Sequence, residues 1–579
     1  MRSGLALEVA AARGAGGRSD DVLAQRRQLA HSQEMSSEPA APPPEELLLR
    51  AGRWETARDE LRQRLADRPD GPAFEGLAQA LWWLDDGTGC LEAREDAYRF
   101  YRDAGQDPEA GRAASALAYD SLLFGEGETV ARGWMTRAEQ LLSAIPERAG
   151  HGWLALRRGE LGLATQGDPA LAQQEADRAC AIGRRVNDRN LMYAGMALSG
   201  LAQTTAGRPD SGLRELDAAV AAATTGEVDD LMWMGKIFCW LIIACQQTHD
   251  LSRADEWCRR VEAVCERRHL DPLFTVCRIQ HSSVLIERGT WRQAESTLAA
   301  VLDRVEPSRR HTRLDAVVQL GELRRRQGRF AEAEELLMQA EFDPSAIVSL
   351  ALVRLARDEA DVAWAEIRQV LARTPTANRL QRARFLLPAV QAALAAGERG
   401  AAQQAADELR ETAALVGNTP TLGLAAAAAA TLAPPAESVS AWRDAVRSFR
   451  ESALPFDEAE SRLGLADALL QCDDVGAAEE QVSKAWTLLE GLGAQGMLTD
   501  ADRLRRQIAS VRGTPHALLS EREREVLRCV ADGQTDQQIA KALTLSPHTV
   551  HRHVAHILIK VGQPTRAAAV AHALKHDLL

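Results

Sequence analysis

Aromatic residues make up only 4% of this 579-residue chain, and nowhere does it sustain the apolar/polar alternation of β-branched residues that a half-buried strand needs. That excludes a sheet-built architecture. Nine cysteines occur without a single C-x-x-C pair, so the zinc-ribbon and thioredoxin-like patterns are missing. There is no G-x-x-x-x-G-K-[ST] phosphate loop: the one Gly-Lys pair, Gly235-Lys236, is followed by Ile in a Trp-rich segment. HExxH helices and nucleophile elbows are absent as well, so neither a nucleotide switch nor an enzyme is expected, and no cofactor is implied. Nothing resembles the acidic pocket of a phospho-receiver. Basic charge is in short supply, with 69 Lys+Arg against 82 Asp+Glu. The front of the chain lacks an apolar core of signal-peptide length, no membrane span is expected, and the protein is expected to be cytoplasmic.

What is present is a helical vocabulary. The chain is 46% hydrophobic and rich in Ala, Leu, Arg and Glu, too long for one core, and reads as an all-α assembly. A turn pattern Gly-x-aromatic-x-x-Ala recurs at Gly52-Arg53-Trp54 with Ala57, Gly289-Thr290-Trp291 with Ala294, and Gly328-Arg329-Phe330 with Ala333. Degenerate copies begin near Gly89, Gly127, Gly167, Gly207, Asp250, Glu359, Gly397 and Asp474, a step of about 38 to 40 residues. Physically this is a repeated helical hairpin: one helix ends at Gly, the next helix's aromatic fills the gap, and the small Ala lets the helices approach. The pattern resembles tetratricopeptide-type repeats with a period longer than their usual length of about 34. About twelve hairpins are expected over 45–511, forming a curved superhelix, and the tryptophans are read as packing residues. Residues 1–44, Ala/Gly/Arg-rich and ending in Pro42-Pro43-Pro44, are expected to be disordered, and Met35 is a second possible start. Residues 512–515 are the expected linker.

The tail from 516 to 579 has a different character. Ser520 with Glu523 and Thr535 with Gln538 are capping-box pairs, predicting helices from Ser520 to about Ala531 and over Ile539, Ala540 and Leu543. Leu545 is expected as a buried hinge. Ser546 followed by Pro547 starts a third helix, whose Val550, Val554, Ile557, Leu558 and Val561 form one apolar stripe. Two short helices with a tight turn between them make a helix-turn-helix. Its outer face carries His548, His551, Arg552, Ala555 and Ile559. In a major groove Arg552 would pair with guanine, Ala555 would meet a thymine methyl, and His551 would reach a base edge or phosphate. Thr549, His556 and Lys560 complete the expected DNA-binding set, with Thr549 and Lys560 on phosphates.

These residues resemble the LuxR-type (GerE/NarL-like) DNA-binding domain. The matches are Leu519, Arg522, Glu523, Glu525, Val526, Leu527, Gly533, Ile539, Ala540, Leu543, Ser546, Thr549, Val550, His553, Val554, Ile557, Lys560 and Arg566. The pattern is departed from in four places: Thr535-Asp536, Gln538, His551 in place of a base-contacting Lys, and Val561. The resemblance implies a fourth helix, roughly Thr565 to Lys575, that pairs two copies into a homodimer, with alanines 567, 568, 569, 571 and 573 allowing close approach. The stretch from Ala453 is similar to the final repeats of MalT-like large LuxR regulators, without their ATPase module.

From His516 onward 8 Lys+Arg face 6 Asp+Glu, so only the tail suits phosphate, and weakly. Seven of the 13 histidines lie there, and their protonation near pH 6 would add positive charge. His548/His551 and His553/His556 share the i,i+3 spacing of a metal pair, yet nothing nearby completes a ligand shell, so no metal is expected. Cys239, Cys245, Cys258, Cys265 and Cys277 cluster within 39 residues, either as buried apolar groups or as a redox switch. The sequence thus predicts a sequence-specific transcriptional regulator that binds double-stranded DNA. Its repeat arm senses an unknown effector or protein and controls the reader; the alternative is a constitutive binder with the arm as interaction scaffold.

Overall fold

The computed structural model describes residues 44–268, 271–304, 310–512 and 519–575. Residues 1–43 of the front segment expected to be disordered and 513–515 of the expected linker lie outside the described residues; Pro44 and Arg512, placed in those segments by the sequence, are instead the first and last residues of helices Pro44–Arg50 and Gln495–Arg512. Among the described residues there is no strand, and 29 α-helices run from Pro44 to Lys575. Those up to Arg512 form antiparallel hairpins, each helix packing on its successor, while alternate helices such as Asp107–Leu123, Ala149–Leu161 and Arg189–Thr205 also pack on one another.

The repeat turn works as its residue types require. Gly52, Gly289 and Gly328 sit at φ 72°, 81° and 79°, a left-handed conformation that side chains resist, and the helices Trp54–Asp67, Trp291–Arg304 and Phe330–Leu337 begin two residues on. Ala57, Ala294 and Ala333 are fully buried where neighbouring helices touch. Among the degenerate copies Gly167, Gly207 and Gly397 keep the left-handed glycine at φ 61°, 90° and 79°, whereas His249, Asp358 and Asp473 make the same turn without one, at φ 54°, 64° and 60°. The expected start near Gly89 needs correction. Asp86 accepts from Gly89 N at 2.9 Å, which draws the helix start back to Gly87, and Asp85 makes the turn.

The hairpins do not simply stack in a row. One continuous core joins Leu49–Val284 to Ala427, Ala445 and Phe449, and another joins Ile279–Leu323 to Val446–Ile508. The arm therefore coils back on itself. Asn418 Nδ2 donates to Thr248 O at 2.9 Å across 170 residues, and Gln495 N donates to Gln327 O at 3.2 Å. Repeat-turn glycines are the contact points. A Cβ on Gly289 would lie 2.4 Å from Leu492 Cδ2, and one on Gly328 would lie 2.4 Å from Gly496 N. Inside the coil, buried Glu287 is 2.8 Å from His249 Nδ1 and 3.7 Å from Arg384, and Arg326 reaches Glu322 and Asp457.

The longest uncharged stretch, from 412 to 436, is split at Gly417 (φ 69°) between the helices Arg399–Val416 and Thr419–Leu432. Among the described residues no helix is long and apolar enough to cross a membrane. Cys239, Cys245 and Cys258 are buried, and burial pushes the Cys258 thiol up to about 12 and raises Cys245 well above its ordinary value. Thiols in that state resist the deprotonation a redox switch needs. The side chains of Cys265 and Cys277 lie outside the described residues.

Candidate nucleic-acid interface

Four helices follow the arm: Glu521–Ala531, Asp536–Leu543, Pro547–Lys560 and Arg566–Lys575. Both capping boxes close. Ser520 N donates to Glu523 Oε2 at 2.8 Å while Glu523 N donates to Ser520 Oγ at 3.2 Å, and Thr535 N donates to Gln538 Oε1 at 2.8 Å with Gln538 N returning to Thr535 Oγ1 at 3.4 Å. Thr544, left-handed at φ 55°, ends the second helix, and Arg522 Nη2 donates to Leu543 O at 2.5 Å, tying the first helix to that end. Ser546 Oγ accepts from Thr549 N at 3.1 Å and starts the third helix.

A core separate from the arm's holds the four together. Val550, Val554, Ile557 and Val561 bury their stripe against Leu519, Val526, Leu527, Ile539, Ala569 and Ala573, with Leu545 and Leu558 half-buried at its edge. Burying that stripe fixes what the rest of the third helix presents. His548, His551, Arg552 and Ile559 are exposed on one side, the His551 side chain at 75%. Asp536 pairs with Arg566 of the last helix and lies 3.5 Å from His551 Nδ1, so two departures from the family pattern, Asp536 and His551, are neighbours in space.

Residues 517–573 match the family described as "Bacterial regulatory proteins, luxR family". They form a LuxR-type DNA-binding domain. The "Probable transcriptional regulatory protein NarL" of Mycobacterium tuberculosis (strain ATCC 25618 / H37Rv) is 48% identical over 62 residues, 11% of this chain and 29% of that protein. The "Response regulator protein VraR" of Staphylococcus saprophyticus is 28% identical over 116 residues, 20% of this chain and 53% of that protein. The chain thus spans under a third of the first relative and about half of the second. Among solved structures, the APC/C hetero-tetramer Cut9–Hcn1 covers 92% of this chain and 95% of its own, at 13% identity and a TM-score of 0.43.

Within the LuxR-type domain the expected contact residues divide into two groups. His548, Thr549, His551, Arg552 and Ala555 lie on or beside the open face, Thr549 and Ala555 being half-buried. His556 and Lys560 do not. His556 Nε2 is 3.4 Å from Gln495 Nε2 of the arm. Lys560 is 2.8 Å from Glu523 Oε2 and 3.1 Å from Asp502 Oδ1, with its side chain only 7% exposed. The expectation that Lys560 holds a phosphate does not fit this position, because its ammonium is enclosed and already paired with two carboxylates. Burial alone would raise the Glu523 carboxyl, but the Lys560 ammonium and the Ser520 donors hold it below the usual range; at Asp502 burial outweighs Lys560 and the carboxyl is raised.

The arm residues Trp486, Gln495, Asp502 and Arg505 went unnoticed in the sequence. They sit in ordinary amphipathic helices, and no local pattern distinguishes them from other repeat residues.

Proposed function

We propose that this chain is a sequence-specific transcriptional regulator that binds double-stranded DNA through the open face of the helix Pro547–Lys560, and whose coiled arm receives an effector or protein partner and controls that reader. The observation carrying the DNA assignment is the simultaneous burial of Val550, Val554 and Ile557 and exposure of His548, His551 and Arg552, which leaves a groove-sized helix face with the Arg552 guanidinium exposed to read guanine. Thr549 and the helix N-terminus supply phosphate contacts. Ala567, Ala571 and Leu574 form an exposed stripe on the last helix, with Leu574 at 67%, and support pairing of two copies, whereas Ala569 and Ala573 are spent on the core. A two-fold dimer predicts an inverted repeat with half-sites about one helical turn apart.

A second reading is favoured by the same exposure. Since the arm contacts His556 and Lys560 rather than Arg552, it leaves the reader uncovered, as a scaffold with constitutive DNA binding would. Selection from a random DNA pool with full-length protein and with residues 513–579, at two salt concentrations, separates the two. Enrichment of an inverted repeat bound more tightly by the fragment supports a controlling arm. Equal binding supports the scaffold, and no enrichment by either refutes the DNA-reading assignment.

A further inference from the structure

The contact between arm and LuxR-type domain is built from side chains on the last turns of the helix Pro547–Lys560, His556 and Lys560. At its far side, Lys560 lies between Glu523 of its own domain and Asp502 of the arm, with its Nζ 4.8 Å from the Trp486 ring centroid. The Arg505 guanidinium is 3.9 Å from the same ring, so the indole attracts two cations, one from each unit. Gln495 and Asp502 are seven residues apart on the helix Gln495–Arg512 and so share a face, and one meets His556 while the other meets Lys560.

The beginning of that same helix is where the arm's coil closes. Gln495 N donates to Gln327 O at 3.2 Å, and Gly328, at φ 79°, approaches Gly496 so closely that a Cβ there would stand 2.4 Å from the Gly496 nitrogen. A single rigid helix therefore bears on the repeat turn at 327–328 with its first turn and on the DNA reader with residues up to two turns further on.

We propose that Asp502 and Trp486 are positioning residues for the reader: through Lys560 they hold the recognition helix on the arm in one orientation, and the helix Gln495–Arg512 transmits the state of the coil closure at Gly328 to it. In its consequence for DNA the proposal rests on the regulator reading above. The arm then acts by aiming an uncovered reader, fixing how the two halves of a dimer can address their half-sites. An effector or partner that alters the coil shifts Gly496 and thereby the aim.

The chain has five lysines, Lys236, Lys484, Lys541, Lys560 and Lys575, which makes amine labelling site-readable. The test is acetylation of the full-length protein by an N-hydroxysuccinimide ester without DNA, followed site by site by mass spectrometry. Lys484 and Lys541 are exposed references, and Lys236, buried against Glu160, reports that the arm is folded. Lys560 is expected to label slowly in the unaltered chain. Asp502→Asn, which keeps the side chain's shape, should raise its rate about tenfold by removing a charge-assisted bond while Lys484, Lys541 and Lys236 stay unchanged. Gly328→Ala should do the same from the other end of the helix. If it exposes Lys236 as well, Gly496→Ala, whose Cβ would meet Gly328 Cα at 3.2 Å, replaces it.

Lys560 labelling as fast as Lys541 in the unaltered chain, or no response to Asp502→Asn, overturns the clamp. A response to Asp502→Asn but to neither glycine variant overturns transmission through the helix. With DNA, Asp502→Asn should broaden the half-site spacings selected from a random pool and keep the selected bases; unchanged spacing overturns the aiming role. A chain that selects no DNA at all refutes the regulator reading alone, since the labelling result is obtained without DNA.

Discussion

Lys560→Ala separates two opposed accounts of one residue. If the ammonium met a phosphate, its loss would weaken binding to all DNA alike and reduce the slope of log K against log salt by about 0.9. The structure gives a different consequence. Lys560 is 7% exposed and Glu523 2%, and they are 2.8 Å apart. Removing one partner of such a pair leaves a buried charge, at a cost of about 3 to 5 kcal/mol. Glu523 keeps the donors of Ser520, so the lower end, about 3 kcal/mol, is expected for the LuxR-type domain. That corresponds to amide exchange about a hundredfold faster in the segments Glu521–Ala531 and Pro547–Lys560, with the arm before Trp486 unaffected. Hydrogen exchange with mass spectrometry on the full chain reads this directly, and a salt titration of DNA binding reads the alternative. A salt slope lowered by about one, with exchange unchanged, would refute the burial account.

Arg552→Ala should cost about 1 to 3 kcal/mol on the preferred site and relax the base preference there; equal losses on preferred and random DNA would remove Arg552 from base reading. Ser520→Ala deletes an N-cap and should cost the LuxR-type domain about 1 kcal/mol, visible as faster exchange confined to Glu521–Ala531 and its packing partners. The LuxR-type domain should lose stability in acid. His553 and His556 are both held below the ordinary 6.5, first by burial, then by Arg552 and by His556 or Lys560 respectively, against the pull of Glu523, with Glu490 also attracting His553 and Asp502 attracting His556. The folded chain therefore binds fewer protons at these rings than the unfolded chain, so this contribution to stability is complete above pH 6.5 and is lost as pH falls below it. The ratio of Lys560 to Lys541 labelling should rise between about pH 7.5 and 5.5; a flat ratio would show that the two rings are not linked to the burial of Lys560.

Local chemistry explains why so much of the reader was legible. Ser520, Thr535 and Ser546 each act within three residues of sequence, and the stripe Val550–Val561 has one helical period, so helix ends and buried face follow from neighbouring residues alone. The repeat turns were legible for the same reason at Gly52, Gly289 and Gly328. They blurred where His249, Asp358 or Asp473 takes the left-handed position, because side-chain residues there carry no strong signature. Two things were hidden. Coil closure depends on residues some 170 apart, and the role of Lys560 is set by Asp502 and Trp486, whose spacing says nothing about a partner domain. Lys560 looked like a phosphate ligand because it stands at the end of a basic helix, and only burial distinguishes the two roles.

The coil closure also bears on how the chain is made. A repeat array whose units touch only their neighbours can fold behind the ribosome hairpin by hairpin. Here the turn at Gly289 awaits Leu492, the carbonyl of Thr248 awaits Asn418, and Phe449 belongs to the core begun at Leu49. The early hairpins must therefore emerge with apolar surface uncovered and remain so through the synthesis of some 170 further residues, so closing the arm is slow relative to forming its hairpins despite its locally simple helical sequence.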